Sequence, residues 1–414
     1  MQLGWVDYSR EERETIKELL RALGDSGSLD ELGVGIVRDS ISDLLYPGTS
    51  VLHTRAKYYI LIPELFQKAM ESGLTTGSEV RNLIHTDQDK IARALRRATD
   101  EETGTKAEGI IGGRSDRAVK MKPTRIYWNA LRTTGILCNP DMSFDDACSA
   151  VAGYNRKLQN VVIKYEGEDD GGDADDAGVG NFVLFNTPCK EKIEDYLMNP
   201  TLHLKREEAE YLCHQFLSVP VMKNTLTEYC LKTKTSFEGV PLADIPTGNM
   251  PELLRRHLEL ANEFADFIYG AYIVYNLLFF ENGRGCATVD EKLKLENKYR
   301  IWKRNNRGLP HRNEILGLVR NHEHYKAALF DFLKEFENAV DANAKDICSD
   351  EEKRIVKQRE QICKRGKAKI GKAGVGYDYQ ELHKTPMNYR HDTGQTIISD
   401  ILKGMVREDA QTKI

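Results

Sequence analysis

The sequence predicts a mainly α protein, with many helices arranged in two domains and minor β structure. Apolar residues recur at helical spacing along most of the 414-residue chain. One short run, NFVLFN at 181–186, is typical of a strand. A glycine-rich acidic stretch separates two helical halves. We therefore expect an N-terminal helical domain at 1–160, an acidic flexible loop or linker at 161–182 and a C-terminal helical domain at 183–414.

The N-terminal half begins with a well-marked helix. Ser9 and Glu12 have the spacing of a capping box, in which the two side chains bind free backbone amides of the first turn. Further helices are predicted in GIVRDSISDLLY, TRAKYYILIPELFQKAM and SEVRNLIHTDQDKIARALRRA. Because proline cannot donate a backbone hydrogen bond, Pro63 is expected to kink or divide the second of these. A short helix after Pro123 and another at 144–160 follow.

The C-terminal half is helical in pattern almost throughout. Its most apolar stretch, FADFIYGAYIVYNLLFF at 264–280, continues the pattern of PELLRRHLELANE and predicts one long helix at about 251–281. The apolar stretch is shorter than the roughly 20 residues that cross a bilayer, and it contains Asp266 and Asn276, so we interpret it as a buried core helix. Other helices are predicted at 190–198, 205–218, 221–232, 289–305, 311–340, 350–370 and 393–406.

Composition indicates a globular protein of the cytoplasm. Hydrophobic residues make up 40% of the chain and charged residues 30%, which is too apolar for a disordered chain. The net charge of −5 is small for this length, so attraction to nucleic acid has to come from local basic patches. The first residues have no basic flank followed by an apolar run, so no secretory leader is expected. The eight scattered cysteines are then interpreted as reduced thiols.

Six short motifs in the N-terminal third carry a resemblance to a known family. They are LGWVD at 3–7, DELGVGIVRD at 30–39, YPGTS at 46–50, TRAKYY at 54–59, GIIG at 109–112 and PTRIYWNAL at 123–131. In this order they closely resemble an uncharacterised bacterial family, domain-of-unknown-function family 6361. A weaker similarity continues through YGAYIVYNLLF to the end of the chain. The sequence departs from the family pattern at His53, where glutamine is expected, and in the acidic stretch around 165–180, which resembles an insertion.

The resemblance implies a cytosolic prokaryotic protein. Members of such families are encoded in antiviral defence islands, near helicases and phospholipase-D-like nucleases, so partner proteins of these two kinds are implied. No catalytic residues are known for the family, so none is carried over to this chain. The sequence itself indicates no cofactor.

The strongest functional candidate is a basic, glycine-rich segment at 104–132. Gly112 and Gly113 let the backbone approach a ligand closely. Cations that neutralise phosphates, next to an aromatic platform for bases, are typical of sequence-tolerant binding of DNA or RNA. We predict nucleic-acid contacts by Arg114, Arg117, Lys120, Lys122, Arg125 and Trp128. In the alternative interpretation Trp128 is a core residue of the short helix and the cations are its solvated flank.

Two other basic groups are weaker candidates. Arg55 and Lys57 stand at a predicted helix start, where free amides attract anions. The favoured alternative for Arg55 is a buried salt bridge with Asp39 or Asp43. The late helix at 350–370 carries a one-sided run of cations, which is either a solvated face or a surface for an anionic partner such as nucleic acid or the acidic loop of the same chain.

The sequence contains no recognised motif of a metal site or a catalytic centre. His322 and His324 are two residues apart, whereas zinc-binding helices place histidines four apart, so no metal site is predicted. We expect a non-enzymatic subunit that binds nucleic acid and proteins within a multi-protein prokaryotic antiviral defence complex. The alternative is a hydrolase, above all a nuclease, whose active site is assembled from residues distant in the sequence.

Overall fold

A computed structural model describes residues 30–98, 104, 108–113, 121–167, 182–187, 191–282, 289–319, 323–370 and 381–407. Over these ranges the protein is mainly α, as predicted, with 14 α-helices and three short 3₁₀ turns. In the same ranges the predicted strand at 181–186 contributes a single antiparallel bridge, between Leu137 and Phe185. The helix predicted from Ser9 lies outside the described residues.

Five described helices precede the acidic stretch, namely α1 Gly35–Leu45, α2 Tyr58–Glu71, α3 Gly77–Arg97, α4 Pro123–Thr133 and α5 Phe144–Gly167. Pro63 lies inside α2, so the expected division of this helix at Pro63 was wrong. One proline removes a single backbone hydrogen bond, and the neighbouring side chains of Ile62 and Leu65 are held in the core. Helix α5 continues to Gly167, into the segment expected to be a loop, and the remainder of that segment at 168–181 is not among the described residues.

Nine described helices follow, namely α6 Ile193–Met198, α7 Arg206–Ser218, α8 Leu226–Thr233, α9 Glu252–Asn282, α10 Val289–Asn305, α11 Arg312–Leu318, α12 Glu323–Ala342, α13 Asp350–Lys364 and α14 His391–Met405. The single helix predicted at 311–340 is instead the pair α11 and α12. Helix α11 ends at Leu318, and the backbone of the next residue, Val319, is extended (φ −76°, ψ 115°). None of the described helices, including the long α9, is apolar enough over a sufficient length to cross a membrane.

The chain divides into two compact units. The first unit takes the residues up to Ser42 together with Arg255–Tyr389, and the second takes Asp43–Leu254 together with the residues from Arg390 onward. The sequence placed the division at 161–182, most of which the structure does not describe, so the predicted domain limits stay a prediction.

The first unit is built around α9, the predicted core helix. The indole of Trp302 occupies the space where a side chain on Gly270 would lie, so α10 approaches the backbone of α9 directly. Buried carboxylates then connect α13 to the other helices: the Tyr275 hydroxyl donates to Glu360 at 3.0 Å, and the Tyr299 hydroxyl donates to Glu352 at 2.6 Å.

The second unit is built around α2, most of whose residues are buried. The last helix, α14, packs into the same unit. There the Tyr46 hydroxyl lies 2.5 Å from Nδ1 of the buried His391, and the imidazole Nε2 lies 2.8 Å from the carbonyl of Val240. The Gln395 side chain binds both the Tyr46 hydroxyl and the backbone amide of Phe237. Residues from opposite ends of the sequence therefore share one core.

Candidate nucleic-acid interface

Helix α3 has one buried face and one basic face. A capping box between Thr76 and Glu79 fixes its start, and the face from Val80 to Leu95 is buried. Beside that face lie four basic positions, Arg81, His85, Arg93 and Arg96. At about 100° per residue these positions fall within roughly a third of the helix circumference. The helix therefore carries these four basic side chains along one side.

Helix α4 is held against this side of α3. The Gln88 side chain accepts a hydrogen bond from the backbone amide of Thr124 at 2.9 Å. The Lys122 ammonium reaches Asp89 at 2.5 Å, and Arg125 is exposed at the first turn of α4. We call the resulting surface the basic flank. It consists of Arg81, His85, Arg93, Arg96, Arg97, Lys122 and Arg125.

His85 lies among the cations of the basic flank. Its ring stacks on Phe144, with the centroids 5.5 Å apart and the planes 9° from parallel. Its backbone carbonyl accepts a hydrogen bond from Lys122 at 3.4 Å. Burial, together with the positive charges of Lys122, Arg125 and Arg81, lowers the pKa of the imidazole. The buried Nε2 atom has no hydrogen-bond partner among the described residues.

Two carboxylates balance part of this charge. Arg81 pairs with Asp145 at 2.8 Å, and Lys122 pairs with Asp89. Arg93 and Arg97 are exposed at the end of α3 and form no ion pair with a described residue. Arg93 and Arg97 therefore add positive charge that no described carboxylate balances, and this end of the basic flank attracts anions.

The basic flank lies in a part of the chain that resembles a known family. Residues 1–152 match the model of a family of unknown function, DUF6361. All six short motifs that carry the resemblance fall inside this match, whereas the weaker similarity through YGAYIVYNLLF lies beyond it. No curated protein and no solved structure matches the chain.

The predicted nucleic-acid residues divide into three groups. Arg114, Arg117 and Lys120 lie outside the described residues. Lys122 and Arg125 lie on the basic flank, as described above. Trp128, by contrast, is only 3% exposed, and its indole donates to the carbonyl of Met142 at 2.9 Å.

Trp128 is thus a core residue in this structure. Its ring packs against Phe66 and Phe144, with centroids 5.7 and 5.6 Å away. A base needs a free ring face to stack upon. The observed position of Trp128 therefore agrees with the alternative interpretation of the sequence, in which Trp128 is a core residue of the short helix. We leave Trp128 out of the proposed nucleic-acid surface.

Two of the six motifs that resemble DUF6361 meet at Tyr127. The Tyr127 hydroxyl accepts from the amides of Thr54 and Arg55, at 2.8 and 3.1 Å, and donates to the carbonyl of Arg55 at 2.9 Å. Its ring stacks on His53, with the centroids 4.1 Å apart. The motifs TRAKYY and PTRIYWNAL are therefore held together by one buried phenol.

The two cations of the TRAKYY motif each bind a carboxylate. Arg55 forms an ion pair with Asp400 at 2.8 Å, so the expected partners Asp39 and Asp43 were wrong. Lys57 is 1% exposed and binds both oxygens of Glu208, at 2.6 and 2.8 Å. Both cations are thus compensated within the protein, which leaves little attraction for an external anion.

Part of the basic run of the late helix is paired as well. On α13, Lys353 binds Glu281 and Arg354 binds Glu351. The buried Arg359 donates to backbone carbonyls, including that of Leu32 at 2.8 Å. These three side chains make contacts within the first unit. Their partners reduce the net positive charge of the α13 surface below what the sequence suggested.

Sequence reasoning missed the α3 contribution to the basic flank. Arg81, His85, Arg93 and Arg96 are spaced by four, eight and three residues, so the signal was present in a segment already predicted to be helical. Among the described residues no group of histidine, cysteine, aspartate and glutamate side chains could hold a metal ion.

Proposed function

We propose that this protein is a non-enzymatic subunit that binds nucleic acid and other proteins in a prokaryotic antiviral defence complex of the cytoplasm. The nucleic-acid part rests on one observation: Arg93 and Arg97, at the end of α3 on the basic flank, are exposed and form no ion pair with a described residue. The defence complex, with helicases or nucleases as partners, rests on the resemblance to DUF6361 and its implied gene neighbourhood.

The dimensions of the basic flank suit a nucleic-acid backbone. At about 1.5 Å per residue, α3 runs roughly 24 Å from Arg81 to Arg97. Duplex DNA carries one negative charge per about 1.7 Å of its axis. The helix can therefore lie beside several phosphates at once, and contacts of this kind carry no sequence information.

The salt dependence of binding tests the surface directly. We expect the affinity of the protein for a DNA duplex to fall steeply with salt, because each neutralised phosphate releases counterions. The double variant Arg93→Glu/Arg97→Glu should flatten the slope of log affinity on log salt by about 1.8, at about 0.9 per lost contact with a duplex.

A matched control keeps the change in net charge the same. Lys223 and Lys232 are exposed cations of the second unit outside the basic flank. The variant Lys223→Glu/Lys232→Glu should leave the slope almost unchanged. Equal slopes for the wild-type protein and the Arg93/Arg97 variant would exclude this end of α3 as a nucleic-acid contact, and absence of binding by the wild-type protein would remove the function itself.

A nuclease assay separates the subunit from the alternative hydrolase. The purified protein should leave DNA and RNA intact with Mg²⁺, Mn²⁺ or Zn²⁺ present. Turnover that survives repurification and is lost in a single point variant would contradict the non-enzymatic subunit.

A further inference from the structure

We propose that a groove of the first unit, between α10 and residues 381–384, docks a peptide segment of a partner protein that carries acidic and apolar side chains. The inference rests on the protein-binding part of the proposed function and deepens it by naming the surface and the chemistry of the partner. The groove has a volume of about 470 Å³, which falls within the roughly 300–1,000 Å³ of pockets that hold small ligands. It therefore has room for a few side chains. We call it the α10 groove, and its lining residues are Glu291, Lys294, Leu295, Asn297, Lys298, Ile301, Glu381 and Lys384.

One wall of the α10 groove is fixed by polar contacts to the core helix α9. The side chain of Asn276, which is 1% exposed, accepts from the backbone amide of Leu382 at 3.0 Å and donates to the carbonyl of the same residue at 2.7 Å. The Tyr269 hydroxyl donates to the carbonyl of Lys384 at 3.0 Å. These bonds hold the backbone, so the wall is formed before a partner binds, and less conformational entropy is lost on binding.

Helix α10 supplies the floor and the opposite wall of the groove. Lys294, Lys298 and Ile301 are spaced by four and three residues, so they lie along one side of the helix. Leu295 is buried at the floor, whereas the side chain of Ile301 is 63% exposed. An apolar side chain of a partner that covers Ile301 removes apolar surface of both from water, and this burial favours binding.

The charges of the α10 groove select an acidic partner. Its lining contains three lysines and two glutamates. Lys298 on α10 forms an ion pair with Glu381 on the other wall. Lys294 on α10 and Lys384 on the other wall are exposed, and neither forms an ion pair with a described residue. Each wall therefore offers one ammonium group to the carboxylates of a partner.

The same lining favours a peptide over nucleic acid. Glu291 and Glu381 place two carboxylates in the groove, and these repel a continuous row of phosphates. A peptide fits both charges, because its backbone amides donate to carboxylates while its acidic side chains bind lysines. A phosphate backbone also has no apolar group to cover Ile301. A peptide that combines acidic and apolar side chains therefore uses every part of the groove.

A phage-displayed library of random 12-residue peptides, selected on the immobilised full chain, supplies the probe. We expect the selected peptides to be enriched in aspartate, glutamate and large apolar residues. The most enriched peptide is synthesised with a fluorescent label, and its affinity is measured by fluorescence anisotropy. The affinity should fall at least tenfold in Lys294→Glu/Lys384→Glu, because attraction becomes repulsion at both walls. It should fall about three- to tenfold in Ile301→Gln, which loses the apolar contact.

Two further measurements assign the effect to the groove. The control variant Lys334→Glu/Lys345→Glu reverses two exposed lysines of the first unit outside the groove, and it should keep the affinity within about twofold of wild type. The same peptide carrying a photoreactive benzophenone should cross-link to α10 or to residues 381–384 of the wild-type protein, as identified by mass spectrometry of the digest. This second readout does not depend on the folding of a variant.

The outcomes separate the inference from the proposed function. Selected peptides without acidic enrichment, cross-links elsewhere, or equal affinities for the wild-type protein and Lys294→Glu/Lys384→Glu overturn the inference. If this variant instead weakens binding to a DNA duplex and not to the peptide, the groove is a nucleic-acid contact and the inference is equally overturned. Duplex binding by the wild-type protein is measured on the same sample, so the nucleic-acid part of the proposed function stands or falls separately.

Discussion

The guanidinium of Arg55 binds the carboxylate of Asp400, a residue 345 positions later in the chain. The Nε atom lies 3.1 and 2.9 Å from the two carboxylate oxygens, and Nη2 lies 2.8 Å from one of them. The backbone amide of Ala56 donates to the same carboxylate at 2.8 Å. One nearly buried carboxylate of α14 therefore satisfies both a charge and a backbone donor of the TRAKYY motif.

The first prediction concerns this pair. Asp400→Asn should lower the free energy of unfolding by about 3–5 kcal/mol, because it removes the carboxylate charge that pairs with the largely buried Arg55. Chemical denaturation followed by circular dichroism measures the change. The control is Asp43→Asn, which removes the exposed partner of Arg390 and should cost less than about 1 kcal/mol. Equal losses in the two variants would show that Asp400 contributes no more than a surface carboxylate.

The contrast between Arg55 and α9 shows what the sequence could predict. The periodicity of apolar residues lies within a helix, so the helix predicted at about 251–281 is found as Glu252–Asn282. The partner of Arg55 lies on a helix at the other end of the chain, and no local pattern specifies it. The sequence therefore predicts elements well and long-range ion pairs poorly.

The candidate site shows the same limit. Lys122 and Arg125 were recognised at the start of α4, and a buried interpretation of Trp128 was kept open, because residue types and helix starts are visible locally. The contribution of α3 was missed, because the approach of Lys122 to Asp89 and to the carbonyl of His85 depends on how two helices pack. The sequence also does not reveal which cations have a buried carboxylate partner. Lys57, for example, is paired with the buried Glu208.

The second prediction concerns pH and Glu64. Burial, with the nearby negative charges of Glu191 and Glu208, raises the pKa of Glu64 to about 8. The folded protein holds this proton up to about pH 8, whereas the unfolded chain releases it near pH 4.5. The contribution of this proton to the free energy of unfolding is therefore fully present below about pH 4.5. It is lost as the pH rises from 4.5 to 8, and the loss is about 3–5 kcal/mol.

Glu64→Gln removes this dependence, because an amide does not ionise. We expect the variant to gain stability relative to the wild-type protein as the pH rises, and urea denaturation from pH 5 to pH 9 measures the difference. Glu252→Gln, at an exposed position of α9, is the control and should follow the wild-type curve. If the curves for Glu64→Gln and the wild-type protein stay parallel, Glu64 does not carry the effect.

The third prediction distinguishes a core residue from a base-stacking platform. Trp128→Ala should lower the free energy of unfolding by about 3–5 kcal/mol, because it empties a packed site between Phe66 and Phe144. The affinity of the folded variant for a DNA duplex should stay within about twofold of wild type. A loss of binding worth about 1–3 kcal/mol with the stability unchanged would restore Trp128 to the nucleic-acid surface.

The fourth prediction compares two helical glycines. A methyl group on Gly270 would collide with the buried indole of Trp302, whereas a methyl group on Gly317 would meet open space. Gly270→Ala should therefore destabilise the protein by about 1–3 kcal/mol through overpacking between α9 and α10. Gly317→Ala should be neutral or stabilising by up to about 1 kcal/mol, because alanine is the better helix former. Thermal unfolding of both variants measures the difference.

The Trp302 signal in near-ultraviolet circular dichroism should change only in Gly270→Ala, since the indole must move to admit the methyl group. If Gly270→Ala is as stable as Gly317→Ala and leaves this signal unchanged, the close approach of Trp302 to the backbone of α9 is contradicted.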